Sequence, residues 1–217
     1  MVKIAFFNNK GGVGKSTAAI NVAYAMSCLG KRVLVIDCDS QMNTFRFFAD
    51  EPEYSYSGDT RYEAIDVELL RDKRIYYSSE LDTGVDYELW DMPPALDEAA
   101  KNALSLCDYV FVPIELGTFA IQGIAKVTEA IAETGAKFGG CFVNKFDRDN
   151  PADRKLDEFL RNELGNNALK ARIPYSRVIK NSISFRQTAF EYAGKSKAAK
   201  TYAELTREIL EICVEER

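Results

Sequence analysis

Asn8-Asn9-Lys10-Gly11-Gly12-Val13-Gly14-Lys15-Ser16-Thr17 joins a short apolar run, Val2 to Phe7, to a helix-like stretch from Ser16 to Leu29. A strand, a glycine-rich turn and a helix N-terminus in that order make a phosphate cradle. Successive backbone N–H groups point inward, the helix dipole favours negative charge, and Lys15 adds a point charge. Gly11, Gly12 and Gly14 allow the backbone to approach phosphate oxygens that a Cβ would hold away. Ser16 is placed to offer its hydroxyl to a magnesium ion. The commoner form of this loop has Gly at position 9, where this chain has Asn, and does not require Lys10.

Outward from the loop, apolar runs and helical patterns alternate along the chain, the signature of a parallel sheet covered by helices. The spacing predicts strands at 2–7, 32–37, 86–91, 108–113 and 138–143, with a short one near 170–173. Helices are predicted at 15–29, 96–106, 119–134, 152–164 and 198–215. Gly30 is expected to end the first helix in a left-handed conformation. The polar, tyrosine-rich stretch from about 50 to 82 is read as a helix at 60–71 and an edge strand near 74–78. With 217 residues and no repeat or dividing linker, the expected fold is a single α/β domain, doubly wound, with helices on both faces of a mostly parallel sheet.

Composition narrows the chemistry. No histidine occurs, which removes histidine-based triads and histidine-bound metals and leaves acid–base work to carboxylates or water. Five cysteines occur without a Cys-x-x-Cys pair, against a zinc or iron–sulfur site. No apolar run approaches the roughly 20 residues that cross a bilayer. The first strand begins at once, leaving no room for a signal peptide, so a cytoplasmic protein is expected. Net charge is −5, yet residues 168–200 carry Lys170, Arg172, Arg177, Lys180, Arg186, Lys195, Lys197 and Lys200 against the single acid Glu191. That segment suits either an anionic polymer or a solvated basic face.

Three strand ends carry further polar groups. Val33-Leu34-Val35-Ile36-Asp37-Cys38-Asp39 ends in two carboxylates two residues apart, and ligands of open parallel sheets bind beyond such ends. Nucleotide hydrolysis needs oxygens for a metal and a group that orients water; a solvated turn after a strand is the other reading of Asp37 and Asp39. Tyr87-Glu88-Leu89-Trp90-Asp91-Met92-Pro93-Pro94 places Asp91 before a stiffened turn. Cys141-Phe142-Val143-Asn144 ends in an amide that can serve a base edge or the backbone groups of the strand end.

With Lys10 ahead of its glycines, the loop closely resembles the deviant Walker A loop of the ParA/MinD family of ATPases, nearest to the short ParA-type partition proteins. The resemblance implies an ATP site with Mg2+, built on Lys10, Gly11, Gly12, Val13, Gly14, Lys15, Ser16 and Thr17. It implies that Asp39 positions the attacking water and that Asp37 supports the magnesium shell, although the family's usual proline is Ser40 here. Asp91 resembles the Walker B aspartate that holds magnesium through water, Ser16 completing the metal set. Family strands are uniformly aliphatic at this point, whereas this one carries Glu88 and Trp90. Asn144 corresponds to the position that reads adenine, and Ile173-Pro174-Tyr175 to the segment flanking the base, with Pro174 against it.

In such proteins two protomers sandwich two nucleotides, each Lys10 completing the partner's site, and the ATP-bound homodimer binds DNA non-specifically through basic residues. A ParB-like or other adaptor protein stimulates hydrolysis, with plasmid or chromosome segregation as the output. Nucleoid association in the ATP state follows. Two alternatives stay open: a MinD-like positioning ATPase at a membrane, and a nucleotide-binding regulatory module with little turnover. A membrane partner is not expected, because the last helix carries Glu208, Glu211, Glu215 and Glu216, which anionic lipid would repel.

Overall fold

In the computed structural model the described residues are 1–49, 57–58, 65–69, 84–117 and 120–215. They form eight strands and eight α-helices in the order β1 (Val2–Phe6), α1 (Lys15–Cys28), β2 (Val33–Asp37), α2 (Asn43–Phe48), β3 (Ser57–Gly58), β4 (Ile65–Leu69), β5 (Tyr87–Asp91), α3 (Glu98–Ser105), β6 (Tyr109–Glu115), α4 (Ala120–Thr134), β7 (Lys137–Phe146), α5 (Pro151–Leu164), β8 (Ala168–Pro174), α6 (Arg177–Ser184), α7 (Ala189–Ala193) and α8 (Lys197–Glu215). The sheet order is β3-β4-β2-β5-β1-β6-β7-β8. Every pairing is parallel except that of β3 with β4.

Strand β1 lies between β5 and β6, where the winding reverses direction, and a crevice opens there at the carboxyl ends of the strands. Alternate residues feed two cores. Ile4, Phe6, Val33, Val35 and Leu89 pack toward α1 and α8, while Ala5, Leu34, Ile36, Trp90 and Val110 pack toward α3, α4 and α5. Burial on both faces explains why these strands read as continuous apolar runs. The doubly wound arrangement expected from the sequence is present.

Helix α1 ends as predicted. Gly30 sits at φ +75°, its N–H donates to Ser27, and that of Lys31 donates to Met26, the paired bonds of a Schellman motif. The helix predicted at 60–71 is corrected: 65–69 is a strand parallel to β2. Ile65-Asp66-Val67-Glu68-Leu69 alternates with period two, and Ile65 and Val67 are buried; that period outweighed the polar surroundings. The strand expected at 74–78 lies outside the described residues. Short helices α2, α6 and α7 were not anticipated.

The departures in β5 form one network. Lys3 and Glu88 are neighbours across the β1–β5 ladder, 3.7 Å apart at their charged atoms, and the Trp90 indole donates to Glu88 at 3.1 Å. A buried carboxylate is tolerated here because it has a cation and a donor.

At the far edge, the backbone N–H groups of Lys170 and Ala171 in β8 donate to the two oxygens of Glu208 in α8, at 2.6 and 2.8 Å. Nearby, Asp157 of α5 accepts from Arg161 at 3.1 and 3.2 Å and from Arg172 at 2.6 Å. Among the described residues, no helix is long and apolar enough to cross a membrane.

Candidate functional site

The loop between β1 and α1 stands at the reversal point of the sheet. Gly14 caps α1 at φ +97°, and a Cβ there would collide with Asn144 Nδ2. Glycine is therefore required twice, by conformation and by space. At Gly11 no atom of the described residues beyond its chain neighbours stands within 4 Å of an added Cβ, so that position faces open room. The first turn of α1 lines the opening through Lys15, Ser16 and Thr17, where a helix start offers unpaired N–H groups to an anion.

Lys15 is buried, its ammonium donating to the carbonyls of Asn8 and Lys10, both at 3.2 Å. Burial lowers its pKa, against the attraction of Asp91 and Asp39. Lys10 behaves oppositely. Its backbone N–H is fixed by Asn8 Oδ1 at 3.0 Å, while its side chain is exposed. Two lysines five residues apart thus have different tasks available: one serves this chain's own loop, the other is exposed at its surface.

Three aspartates stand across the opening. Asp37 is fully buried, and both oxygens are occupied: Oδ1 accepts from the Asp39 N–H at 2.9 Å, and Oδ2 from those of Thr44 and Phe45 at 2.9 and 2.8 Å. It therefore caps α2, whose own N-cap Met42 (φ 54°) supplies no side-chain bond. Burial raises its pKa against these three bonds. Asp39 is half-buried, lines the cavity, and accepts from the Gln41 N–H at 3.0 Å.

Asp91 is the unusual group. One oxygen accepts the Thr44 hydroxyl at 2.5 Å, and the Ser16 side chain acts to lower the carboxyl pKa. The other oxygen, Oδ1, is buried without a partner. Burial first, then the nearby Asp37, pushes the pKa up to about 7. A buried carboxylate oxygen without a partner, with a loop serine in the same site, is the hard-oxygen chemistry that a divalent cation takes. Among the described residues no three acidic, histidine or cysteine side chains could hold a metal by themselves. The set fits an ion that takes its remaining ligands from water and phosphate, as magnesium does.

The cavity is bounded by the loop glycines, Lys15, Ser16 and Thr17, and by Asp39, Asn43, Pro94, Ile20 and Ile183. The sequence reading brought together most of this set. It missed Thr44, which touches both Asp37 and Asp91; a hydroxyl seven residues after an aspartate has no recognisable spacing. It also missed Ile183, because α6 was not predicted. Asn144 sits beneath the loop rather than in the cavity wall, its Nδ2 donating to the Val13 carbonyl at 2.6 Å. Service to the backbone, one of the two uses open from its sequence, is the one this structure contains. Pro174 closes β8 in register with Phe146 and is likewise not part of the cavity wall.

The basic segment divides. Arg172 is paired with Asp157, and Arg186 donates to the Phe47 and Ala49 carbonyls of α2. Lys170, Arg177, Lys180, Lys195, Lys197 and Lys200 are exposed. At the β8 edge Lys170 and Lys197 meet Arg148 and Arg154 around one groove; those two arginines lie outside the segment singled out from sequence.

Comparison with known proteins agrees with this geometry. The family described as the CobQ/CobB/MinD/ParA nucleotide binding domain matches residues 4–189. The chromosome-partitioning ATPase Soj of Thermus thermophilus is 28% identical over 96% of this chain and 95% of its own length. The chromosome partitioning protein ParA of Caulobacter vibrioides is 27% identical over 95% and 93%. The septum site-determining protein MinD of Pyrococcus horikoshii, solved with Mg-ADP, superposes with a TM-score of 0.82 at 19% identity, covering 100% of this chain and 98% of that one.

Proposed function

We propose that this chain, which belongs to the CobQ/CobB/MinD/ParA nucleotide-binding family, is a partition ATPase whose ATP-bound dimer holds DNA. The observation that carries this reading is the contrast between Lys15, turned in on its own loop, and Lys10, exposed at the same loop. A cation that the chain's own cavity does not use is available to a nucleotide held by a second copy. The names of the curated relatives support the partition role.

In this reading the loop from Gly11 to Thr17 binds the phosphates, with Lys15 exchanging its two carbonyls for phosphate oxygens. Ser16 and Asp91 would hold magnesium, with Asp37 behind them, and the ion would supply neutralisation of the charge that builds on the phosphates. Asp39 orients the water that attacks. Asn144 meets the adenine edge with the amide that otherwise braces Val13, and Pro174 flanks the base. Such a site turns over slowly until an adaptor protein, ParB-like or otherwise, fixes the water and its acceptor. The exposed lysines of 168–200, with Arg148 and Arg154 at the β8 edge, neutralise DNA phosphates without reading sequence.

DNA binding measured with ATP, with ADP and without nucleotide, across a salt series, tests the reading. ATP-dependent, salt-sensitive, sequence-indifferent binding that Lys10→Ala abolishes is expected. Binding that ignores nucleotide, or its absence in all three states, overturns the partition role.

A further inference from the structure

Helix α2 is six residues long, too short to hold its own position. Its start is fixed by the acids of the cavity: Asp37 caps the Thr44 and Phe45 N–H groups, and the Thr44 hydroxyl is bonded to Asp91. Its end is fixed by a residue far along the chain. Arg186 Nη2 donates to the Phe47 and Ala49 carbonyls at 3.3 and 2.5 Å. A cation on the final carbonyls also meets the negative end of the helix dipole.

Arg186 is itself anchored. It sits at φ 52° between α6 and α7, with its N–H donating to Ile183, a residue of the cavity wall. The N–H of Ala189, at the start of α7, donates to Asn21 Oδ1 at 2.8 Å. Asn21 in turn donates to the Thr17 carbonyl at 2.9 Å, so α7 is referenced to the first turn of the loop helix. The contacts run from the loop helix through α7, Arg186, α2 and Thr44 to Asp91, the carboxylate on which Ser16 of the loop helix also acts.

We infer that Arg186 is a positioning residue for the metal site, setting through α2 and Thr44 where Asp91 stands relative to Ser16. This rests on the magnesium–nucleotide reading above. Loss of the guanidinium releases the far end of α2, and the Thr44–Asp91 bond loses its reference. The effect falls on the metal and spares contacts that the loop makes with phosphate.

The test is a titration of Mg2+ against the protein with a fluorescent ADP, beside the affinity for the same ADP in EDTA. Arg186→Met is expected to raise the Mg2+ concentration at half-saturation about five- to tenfold, at the lower end of ordinary coupling between sites, and to leave EDTA affinity within about twofold. Arg186→Lys, which can still reach one carbonyl, recovers part of the loss. Thr44→Val reproduces the defect, and combining it with Arg186→Met adds little, because both act through one path. Unchanged magnesium dependence, equal losses with and without magnesium, or additive effects in the double variant overturn the inference. If Arg186→Met does not fold, Arg186→Lys and Thr44→Val carry the same comparison. Magnesium-independent binding by the unsubstituted protein removes the function proposed above and this inference with it; magnesium-dependent binding that ignores Arg186 removes this inference alone.

Discussion

Asp91→Asn is predicted to stabilise the nucleotide-free protein at alkaline pH while destroying its response to magnesium. The folded state raises the Asp91 pKa to about 7 from the ordinary 3.8. A carboxyl whose folded value lies above its unfolded value favours the protonated folded form. Stability is then lost as pH rises from the unfolded value through the folded one, and the loss is complete above about 7. The full penalty is about 4 kcal/mol near pH 8, from a shift of ~3 units at 1.36 kcal/mol each, and about 1.6 kcal/mol near pH 5. Asparagine removes this charge but leaves an NH2 where Oδ1 was, at a constant cost that does not vary with pH. The advantage of Asn over Asp should therefore grow by about 2–3 kcal/mol between pH 5 and pH 8, or ~5–10 °C in melting temperature for a domain of this size. Urea and thermal unfolding in EDTA at both pH values measure it directly. Adding Mg2+ and nucleotide should reverse the order, stabilising Asp91 protein only. An advantage that is the same at both pH values would refute the claim that Asp91 is a buried, uncompensated carboxylate.

Gly14→Ala must relieve both a positive φ and a collision with the Asn144 amide, at about 2–4 kcal/mol; adding Asn144→Ala should recover the contact portion, and an unshifted melting temperature in Gly14→Ala would contradict the loop geometry. Asp157→Ala removes the carboxylate shared by Arg161 and Arg172, each of which keeps a backbone carbonyl, and Arg161 Nη2 is already buried without a partner, so urea unfolding should show a loss of about 2 kcal/mol. A loss below about 1 kcal/mol would mean that water replaces the carboxylate. Glu208→Ala exposes two backbone donors on an edge strand, and light scattering at fixed concentration should rise sooner on warming than in the unsubstituted protein.

What could be read from sequence follows the reach of local chemistry. The loop from Asn8 to Thr17 was legible because its glycines, lysines and serine act within ten consecutive residues. The strand cores at 33–37 and 109–115 were legible because burial on both faces leaves an unbroken apolar run. Strand β4 was misjudged because only five alternating residues carry its signal within a polar stretch. The sequence located Asp37, Asp39 and Asp91 but could not sort them: that Asp37 has both oxygens taken while Asp91 has one left over depends on Thr44 and on folding across 47 positions. Arg186 counted only as one more charge in a basic segment, since its partners in α2 lie 137 and 139 residues away. The oddities of β5 needed Lys3, a residue with no sequence relation to Glu88, to become ordinary.

The clasp of Glu208 on the β8 backbone bears on how copies of this chain can meet. A sheet edge joins any complementary strand, and such a seam ignores whatever the loop holds. Once formed, it would outlast every cycle of nucleotide binding and loss. With the Lys170 and Ala171 donors taken at β8, the dimer proposed above is left to the rim where Lys10 is exposed, and contact there would depend on what the loop has captured. Closing an indifferent joint is a condition for making a responsive one the rule, and a single carboxylate on the last helix contributes that condition from the far side of the molecule.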